Sequence, residues 1–346
     1  MKCSLPHKFL LSLLMKLMKR VKILIIIILF VRGLHFGDVL AQDVAFSQFY
    51  GNPLYLNPAL AGSRVCPRIN LNYRLQWPGI SPYKTFSGSY DLMVSDLHGG
   101  IGLLVQSSDA GNGALNFFNA GLMYSYKLQV TKDLTLDAAL QAGLLQDQLN
   151  TNKLVFSDQI DLYTGLINSP SGDQPQQTSN ANIDFTSGFL IAYRESVYFG
   201  GSFSHITRPD IGFYDTYRMP VRLTLHGGAL IDINDGFAGK DQEIISVSPN
   251  ILYLQQNKFH QLNLGAYLNM LPLVVGGWYR FNFENPDAVI VLLGLQKDRF
   301  KFGYSFDFTV SKLSMNTGGS HEISFTWFLP CPQKSFKYKA IKCPQF

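Results

Sequence analysis

Apolar and polar residues alternate with a period of two along most of this chain, and that period constrains the fold more than any other feature. The clearest example is residues 300–310, where Phe, Tyr or Val occupies every even position and Lys, Gly, Ser, Asp or Thr every odd one. Successive side chains of a β-strand point to opposite faces, so this run predicts a strand long enough to cross a membrane at a tilt. Residues 69–76, 119–129 and 134–142 repeat the pattern, and no stretch shows the sustained i, i+3, i+4, i+7 spacing of an amphipathic helix.

Alternation fits a soluble β-sandwich as well as a membrane β-barrel, and the composition separates the two. A sandwich usually carries many Lys and Glu on its outer face, whereas here the polar face holds mainly Gly, Ser, Asn, Gln and Thr, and charged residues make up only 15% of the chain. The apolar faces end in Tyr, Trp and Phe, as the aromatic girdles of a barrel in lipid do. Every strand of such a barrel must pair, because unsatisfied backbone groups are costly in hydrocarbon. We therefore expect an all-β fold, a transmembrane antiparallel β-barrel.

The pattern predicts about fourteen strands. An even number of strands puts the two chain termini of the barrel on the same side of the membrane, which is the periplasmic side in bacterial barrels. By the same parity, the longest segment without strand character, residues 148–182, belongs at the outer surface. The strands are expected to start near Ile69, Phe86, Ile101, Phe117, Leu134, Ile183, Val197, Val221, Val247, Leu262, Leu273, Val289, Phe300 and Ile323.

Residues 1–41 are expected to be a secretory signal peptide. Four basic residues at 16–22 precede an apolar run at 23–31, which is too short to span a bilayer, and small residues follow at 39–41. A retained short anchor helix is the alternative. Removal of this segment takes away seven basic residues and one acidic residue, so the balance of 29 to 24 becomes 22 to 23. The net charge of +5 is therefore a feature of the export segment, and we expect no nucleic-acid partner.

Two segments flank the predicted barrel of residues 68–329. Residues 42–67 contain Asn-Pro turns at Asn52 and Asn57 that cannot continue as a central strand, and we expect either a plug in the lumen or a loose periplasmic leader. A barrel of about fourteen strands is wider than one filled by its own side chains. Residues 330–346 form a basic tail that either binds an acidic partner or anionic lipid or stays solvated; its lysines are Lys334, Lys337, Lys339 and Lys342.

Three cysteines remain once the signal peptide is removed: Cys66, Cys331 and Cys343. In an exported chain an odd count suggests one intramolecular disulfide and one further thiol or a bond to a partner. The odd count and the spacing within the tail lead us to predict a disulfide between Cys331 and Cys343. A pair of Cys66 with either of them is the rival.

The sequence contains no recognisable catalytic or cofactor site. It has no H-E-x-x-H pair, no G-x-S-x-G elbow and no Cys/His cluster with metal-ligand spacing. The glycine pairs at 100–102 and 111–113 are not followed by the helix that a phosphate-binding loop needs. His226 falls on the polar face of a strand, where we expect a hydrogen-bonded lumen histidine, and His321 and Glu322 are expected to form a lumen or interface pair. We expect no enzymatic activity, no cofactor and no metal.

Residues 46–63, FSQFYGNPLYLNPALAGS, form a long and distinctive motif. This motif resembles the opening of the PorP/SprF family of type IX secretion system membrane proteins from Bacteroidetes. Further matches are NYRLQWP at 72–78, YFGGSFSH at 198–205 and SHEIS at 320–324, so the resemblance covers essentially the whole mature chain. The ending KCPQF at 342–346 is more similar to the PorP branch than to the adhesin-linked SprF branch.

The resemblance implies a non-enzymatic outer-membrane barrel that works with periplasmic and outer-membrane components of the secretion and gliding machinery, with a peptidoglycan-associated lipoprotein among the candidate partners. We expect both flanking segments to face the periplasm. A diffusion channel or transporter of hydrophobic solutes is the alternative: an open polar lumen would favour it, whereas a plugged lumen would favour the scaffold. A barrel enzyme is a distant third hypothesis. The expected partner-binding residues are Phe46, Gln48, Asn52, Pro53, Asn57, Pro58, Lys334, Lys337, Lys339 and Lys342.

Overall fold

The structure is a computed structural model, and it describes residues 43–64, 66–161, 163–165, 167, 171–194, 196–233, 245–283, 285–310 and 317–331. Strands dominate this part of the chain. They are β1 (Arg68–Gln76), β2 (Tyr83–Val94), β3 (Gly99–Ala110), β4 (Leu115–Gln129), β5 (Leu134–Leu149), β6 (Ser179–Tyr193), β7 (Val197–Ser204), β8 (Arg222–Ala229), β9 (Ile231–Asp232), β10 (Ile245–Gln256), β11 (Phe259–Met270), β12 (Leu273–Asn282), β13 (Asn285–Lys297), β14 (Phe300–Thr309) and β15 (Ser320–Phe328).

The strands close into a single antiparallel barrel. Apart from the two-residue β9, each strand pairs with the next one along the chain, and the first strand pairs with the last, with Arg68 opposite Phe328. The two residues of β9 extend β8 along the same partner strand, β10. The two therefore count as one strand, and the barrel has fourteen strands around its circumference. The predicted all-β barrel is confirmed, and each expected strand begins within four residues of its predicted start.

The inner and outer faces of the barrel have the polarity that a bilayer requires. Outward side chains are apolar and exposed, as at Leu140, which is 67% exposed, whereas inward side chains are polar and buried, as at Glu322, which is 0% exposed. A water-soluble sheet would show the reverse arrangement. On the outer face, Phe300 and Trp327 stack with ring centroids 6.1 Å apart and form part of an aromatic girdle. The barrel therefore presents its apolar face to lipid.

The two ends of the barrel differ in their loops. We call the end where β1 begins and β15 ends the proximal end, and the opposite one the distal end. The two longest interstrand segments, residues 150–178 and 205–221, are both distal, as strand parity predicts. The second of these folds along β6, where Asn182 Nδ2 donates to Asp210 O at 2.7 Å and Asn180 Nδ2 donates to Gly212 O at 2.6 Å.

Helical structure is short and occurs outside the barrel strands. No helix in the described part of the chain is long and apolar enough to cross a bilayer. Before β1 lie the α-helix α1 (Pro53–Leu56) and the 3₁₀ turns Phe49–Gly51 and Pro58–Leu60. Further 3₁₀ turns at Ser95–Leu97, Thr151–Lys153 and Ser157–Gln159 belong to the loops.

Candidate functional site: the plugged lumen

Residues 43–63 lie inside the barrel and traverse the lumen from the distal to the proximal end; we call them the plug. At the distal end, Asp43 N donates to Gln256 Oε1 at 3.0 Å. At mid-height, Asn57 Nδ2 donates to Phe189 O at 2.9 Å. Close to the proximal end, Gly62 N donates to Asp91 Oδ2 at 2.8 Å. The plug therefore begins at the distal end of the lumen, whereas β1 begins at the proximal end.

Two Asn-Pro pairs give the plug its local structure. Pro53 and Pro58 each occupy the first turn of a short helical segment, where a missing N–H and a fixed φ are favourable. Asn57 caps the second segment, because its side-chain oxygen accepts a hydrogen bond from Ala59 N at 2.9 Å. The resulting compact coil brings backbone and side-chain polar groups within reach of several strands at once.

A buried charge cluster of Arg74, Arg280, Asp307 and Glu322 fixes the distal half of the plug through Ser47. Ser47 Oγ donates to Asp307 Oδ2 at 2.6 Å. The same oxygen accepts from Arg74 Nη1 at 2.5 Å and from Arg280 Nη2 at 2.8 Å. The four charged side chains are at most 5% exposed. Two cations and two carboxylates balance one another, which limits the cost of burying them.

The backbone of the plug is bound by the same cluster. Glu322 Oε2 accepts from Ser47 N at 2.6 Å, and Glu322 Oε1 accepts from Gln48 N at 3.2 Å. Gln48 is fully buried, donates to Ser305 Oγ at 3.2 Å and accepts from Ser324 Oγ at 2.5 Å. These bonds satisfy polar groups that would otherwise be buried without partners.

Apolar packing fills the lumen at mid-height. Phe49 packs edge-to-face on Trp278, with ring centroids 5.1 Å apart, and Leu56 and Leu60 belong to the same buried cluster. A second cluster joins Leu54 to the wall. Wall glycines permit the close approach: a Cβ on Gly188 would lie 2.2 Å from Asn57 Oδ1.

A second ionic cluster secures Asp43 at the distal end. Asp43 Oδ2 lies 2.8 Å from His205 Nε2 and 3.0 Å from Arg222 Nη1, and His205 Nδ1 lies 2.9 Å from Asp184 Oδ2. Burial opposes ionisation of Asp43, but the attraction of His205 and Arg222 outweighs it and lowers the Asp43 pKa. Burial likewise disfavours the imidazolium, yet attraction by Asp43 and the hydrogen bonds that the ring donates to both carboxylates raise the pKa of His205 to about 9. At neutral pH Asp43 and His205 are therefore both ionised.

The disulfide joins Cys66 to Cys331, with Cα atoms 4.4 Å apart, so the prediction of a Cys331–Cys343 pair is wrong. The physical reason is barrel closure: Cys66 precedes β1, Cys331 follows β15, and these two strands pair along their whole length. Leu329 N also donates to Pro67 O at 2.8 Å. The start of the tail is therefore fixed to the end of the plug at the proximal end, while Cys343 lies outside the described residues.

Of the ten predicted partner-binding residues, six are described by the structure and four are not. The six in the plug are buried in the lumen and contact the barrel wall: Phe46, Gln48, Asn52, Pro53, Asn57 and Pro58. The four tail lysines, Lys334, Lys337, Lys339 and Lys342, lie outside the described residues. Partner binding by either group stays a prediction, and for the plug residues it would require the plug to leave the lumen.

Several residues that hold the plug had only weak signals in the sequence. His226 is a lumen residue as expected, with Nε2 3.0 Å from Asn57 Nδ2. His321 and Glu322 face opposite sides of the wall: Glu322 points into the lumen, whereas His321 Nδ1 lies 2.9 Å from Tyr304 OH on the outer side. Arg74 and Arg280 were not predicted as lumen anchors. Their position on the polar faces of strands in a charge-poor chain was the available signal.

The described residues contain no group of three or more His, Cys, Asp or Glu side chains that could hold a metal ion. His205 is buried between two carboxylates, and its two ring nitrogens are hydrogen-bonded to Asp184 and Asp43. It therefore has no free nitrogen with which to accept a proton from a hydroxyl nucleophile. In the described part of the lumen, charged side chains pair with one another and form hydrogen bonds to the plug.

One protein family and several solved structures resemble this chain. A family model described as "Type IX secretion system membrane protein PorP/SprF" matches residues 39–327. No curated protein matches the sequence. Among solved structures, the chain is similar to the toluene transporter TbuX of Ralstonia pickettii, with 11% identity, a TM-score of 0.47, and coverage of 80% of this chain and 93% of that one.

Two further solved structures are similar at the same level. The CymD monoaromatic hydrocarbon channel shares 14% identity and a TM-score of 0.45, over 85% of this chain and 95% of its own. The toluene transporter TodX of P. putida shares 11% identity and a TM-score of 0.45, over 80% and 94%. At such identities the likeness concerns the barrel fold alone.

Proposed function

Because the chain belongs to the PorP/SprF family of type IX secretion system membrane proteins, we propose that it is a non-enzymatic outer-membrane component that links the membrane to periplasmic parts of the secretion and gliding machinery. The candidate partners are periplasmic and outer-membrane secretion proteins, a peptidoglycan-associated lipoprotein among them. We further propose export by a cleaved signal peptide at residues 1–41. The proximal end would then face the periplasm, because the first strand begins and the last strand ends on that side in bacterial barrels with an even strand number.

The observation that carries this proposal is the buried plug. A diffusion channel needs a continuous aqueous path, whereas here the plug residues Ser47, Gln48 and Asn57 are hydrogen-bonded to the wall and almost completely buried. The wall residues that bind them are drawn from opposite sides of the barrel, as Glu322 and Phe189 illustrate. Such a lumen favours a rigid scaffold over a channel or transporter.

A second observation supports docking at the proximal end. The Cys66–Cys331 disulfide fixes the first described residues of the tail beside the exit of the plug. The four tail lysines follow that fixed point in the sequence, and we propose that they bind a periplasmic partner. An anchored basic segment loses less conformational freedom on binding an acidic partner than a free one would.

The test is a pull-down of tagged protein from detergent-solubilised outer membranes, comparing the intact chain with one that ends at Cys331. This truncation removes the lysines and keeps the disulfide. A matched full-length variant with Lys334, Lys337, Lys339 and Lys342 replaced by Gln separates charge from length. We expect the intact chain to retain periplasmic secretion components and both variants to lose them while still forming the barrel.

The opposite result would refute the linking role. If no form retains a partner and the purified barrel conducts ions in planar bilayers, the plug does not seal the lumen and the channel hypothesis replaces the scaffold. If the intact chain and both variants retain the same partners, the tail is not the docking element.

A further inference from the structure

At the distal end, the carboxylate of the chain's own Asp43 occupies a site formed by two cations. Arg222 Nη1 and His205 Nε2 converge on Asp43 Oδ2 at 3.0 Å and 2.8 Å. Asp43 itself belongs to the first residues of the plug, before the anchoring at Ser47 begins. Two further hydrogen bonds hold residues 43–46, from Asp43 N to Gln256 Oε1 at 3.0 Å and from the Tyr55 hydroxyl to Val44 O at 2.5 Å. Breaking these two bonds would let Asp43 leave the cation pair while the bonds at Ser47 keep the plug in the lumen.

The two cations are held in place independently of Asp43. His205 Nδ1 lies 2.9 Å from Asp184 Oδ2, which orients the ring. The Arg222 guanidinium lies over the Tyr55 ring, 4.5 Å from its centroid, and donates to the Tyr55 hydroxyl. Arg222 Nη2 also donates weakly to Ser204 Oγ at 3.4 Å. A preorganised cation pair of this kind would attract another carboxylate if Asp43 left.

An apolar cleft adjoins the cation pair. It has a volume of about 40 Å³ and lies between the plug and the distal ends of β8, β10 and β11. Its surface is mainly apolar, with Arg222 and Asp43 at one side; the principal apolar side chains are Phe46, Phe49, Leu252, Leu254 and Phe259. Departure of residues 43–46, which line the cleft, would enlarge it, and a ligand held by the cations could then place an apolar group here.

We infer that Arg222, His205 and the adjoining cleft form a binding site for a monocarboxylate that carries an apolar group, and that Asp43 is its internal occupant. The incoming carboxylate takes the place of the Asp43 carboxylate, and the apolar group enters the cleft. Asp184 on β6 and Asp147 on β5 also face this cluster, so a net gain of negative charge would be unfavourable. Exchange of one carboxylate for another leaves the charge of the cluster unchanged.

The ionisation of the cluster is consistent with this site. Burial disfavours a charged His205, but Asp43 and Asp184 raise its pKa to about 9. Arg222 is charged at all accessible pH values. With Asp43 bound, the site therefore holds two positive charges at neutral pH, and an incoming carboxylate in the place of Asp43 would favour the protonated His205 in the same way. The existence of the site does not depend on the linking role proposed above.

The experiment uses the full chain in lipid nanodiscs and isothermal titration calorimetry with 4-phenylbutyrate and its uncharged analogue 4-phenylbutan-1-ol. A second pair, N-acetyl-Gly-Phe and its C-terminal amide, distinguishes a small organic acid from the carboxyl end of a polypeptide. We expect an acid to bind at least about tenfold more tightly than its neutral partner, which corresponds to about 1.4 kcal/mol. Preference for either acid supports the site and identifies the source of the carboxylate.

Two substitutions have opposite expected effects. Asp43→Asn removes the internal competitor and should tighten acid binding about tenfold, whereas Arg222→Gln should abolish it. Asp133→Asn, at an exposed position in the proximal turn, is the matched control and should change nothing. Leu254→Gln alters the cleft without touching the ion pairs and should weaken binding, which keeps the test decisive if Arg222→Gln fails to fold.

A merely structural ion cluster would behave differently. It would lose stability in both Asp43→Asn and Arg222→Gln and would bind neither acid. Absence of acid binding in both the wild type and Asp43→Asn overturns the inference, and so does equal binding of the acid and the alcohol.

Discussion

Glu322 holds the plug by its charge as well as by its shape, and Glu322→Gln separates the two. The substitution keeps the side-chain size but leaves Arg74 and Arg280 facing Asp307 as the remaining carboxylate of the cluster. It also turns an amide NH₂ toward Ser47 N or Gln48 N, which are donors themselves. Removal of one partner from a buried ion pair typically costs about 3–5 kcal/mol. We expect a loss of that size in the free energy of unfolding.

The assay is a urea titration of the barrel in lipid vesicles, followed by tryptophan fluorescence. His321→Gln is the matched control, because it changes the adjacent residue on the outer face and removes one hydrogen bond, to Tyr304, worth less than about 1.5 kcal/mol. A double variant with Arg74→Gln should recover part of the loss, since the two charges are then removed together. If Glu322→Gln destabilises the barrel no more than the control does, or if the double variant shows only additive losses, the charge cluster does not anchor the plug.

Four further predictions follow from the plug and its anchors. Gly188→Ala should destabilise the barrel by about 1–3 kcal/mol in the same titration because its Cβ would clash with the plug, whereas Gly277→Ala, which has open space around it, should not. Cys66→Ser should lower the free energy of unfolding by up to about 5 kcal/mol on chain-entropy grounds, since the disulfide spans 265 residues; the heat needed to unfold the barrel on gel electrophoresis measures it. The pKa of His205, raised from 6.5 to about 9, contributes stability that is complete below pH 6.5 and lost as the pH rises through about 9; His205→Gln should abolish this loss in titrations at pH 6 and 10. An epitope inserted before Asp43 should bind antibody on intact cells, whereas one after Phe346 should bind only after the outer membrane is permeabilised.

The charged lumen residues that anchor the plug had only weak signals in the sequence. Glu322 was recognised only as part of a pair with His321, yet adjacent residues of a strand face opposite sides, so the two could not act together. Ser47, at the centre of the anchor, carries no local signal at all. Its partner Glu322 is 275 residues away, and only barrel closure brings them within 2.6 Å.

The two disulfide hypotheses also differ in whether they rest on local spacing or on contacts between distant parts of the chain. Spacing within the tail favoured the pair Cys331–Cys343, because residues close in sequence meet at low entropic cost. Pairing of β1 with β15 reverses that preference by placing Cys66 beside Cys331 whatever their separation along the chain.

The sequence by itself determined the all-β class, the number of strands around the barrel and which side chains face lipid, because a period of two is a local property that each strand carries independently. It also determined the family, through a motif whose residues are contiguous. Only the tertiary structure decided that residues 43–63 run through the lumen from the distal end, which residues anchor them, and which cysteine pairs with Cys331. These depend on contacts between residues far apart in sequence, and such contacts exist only once the first and last strands have met.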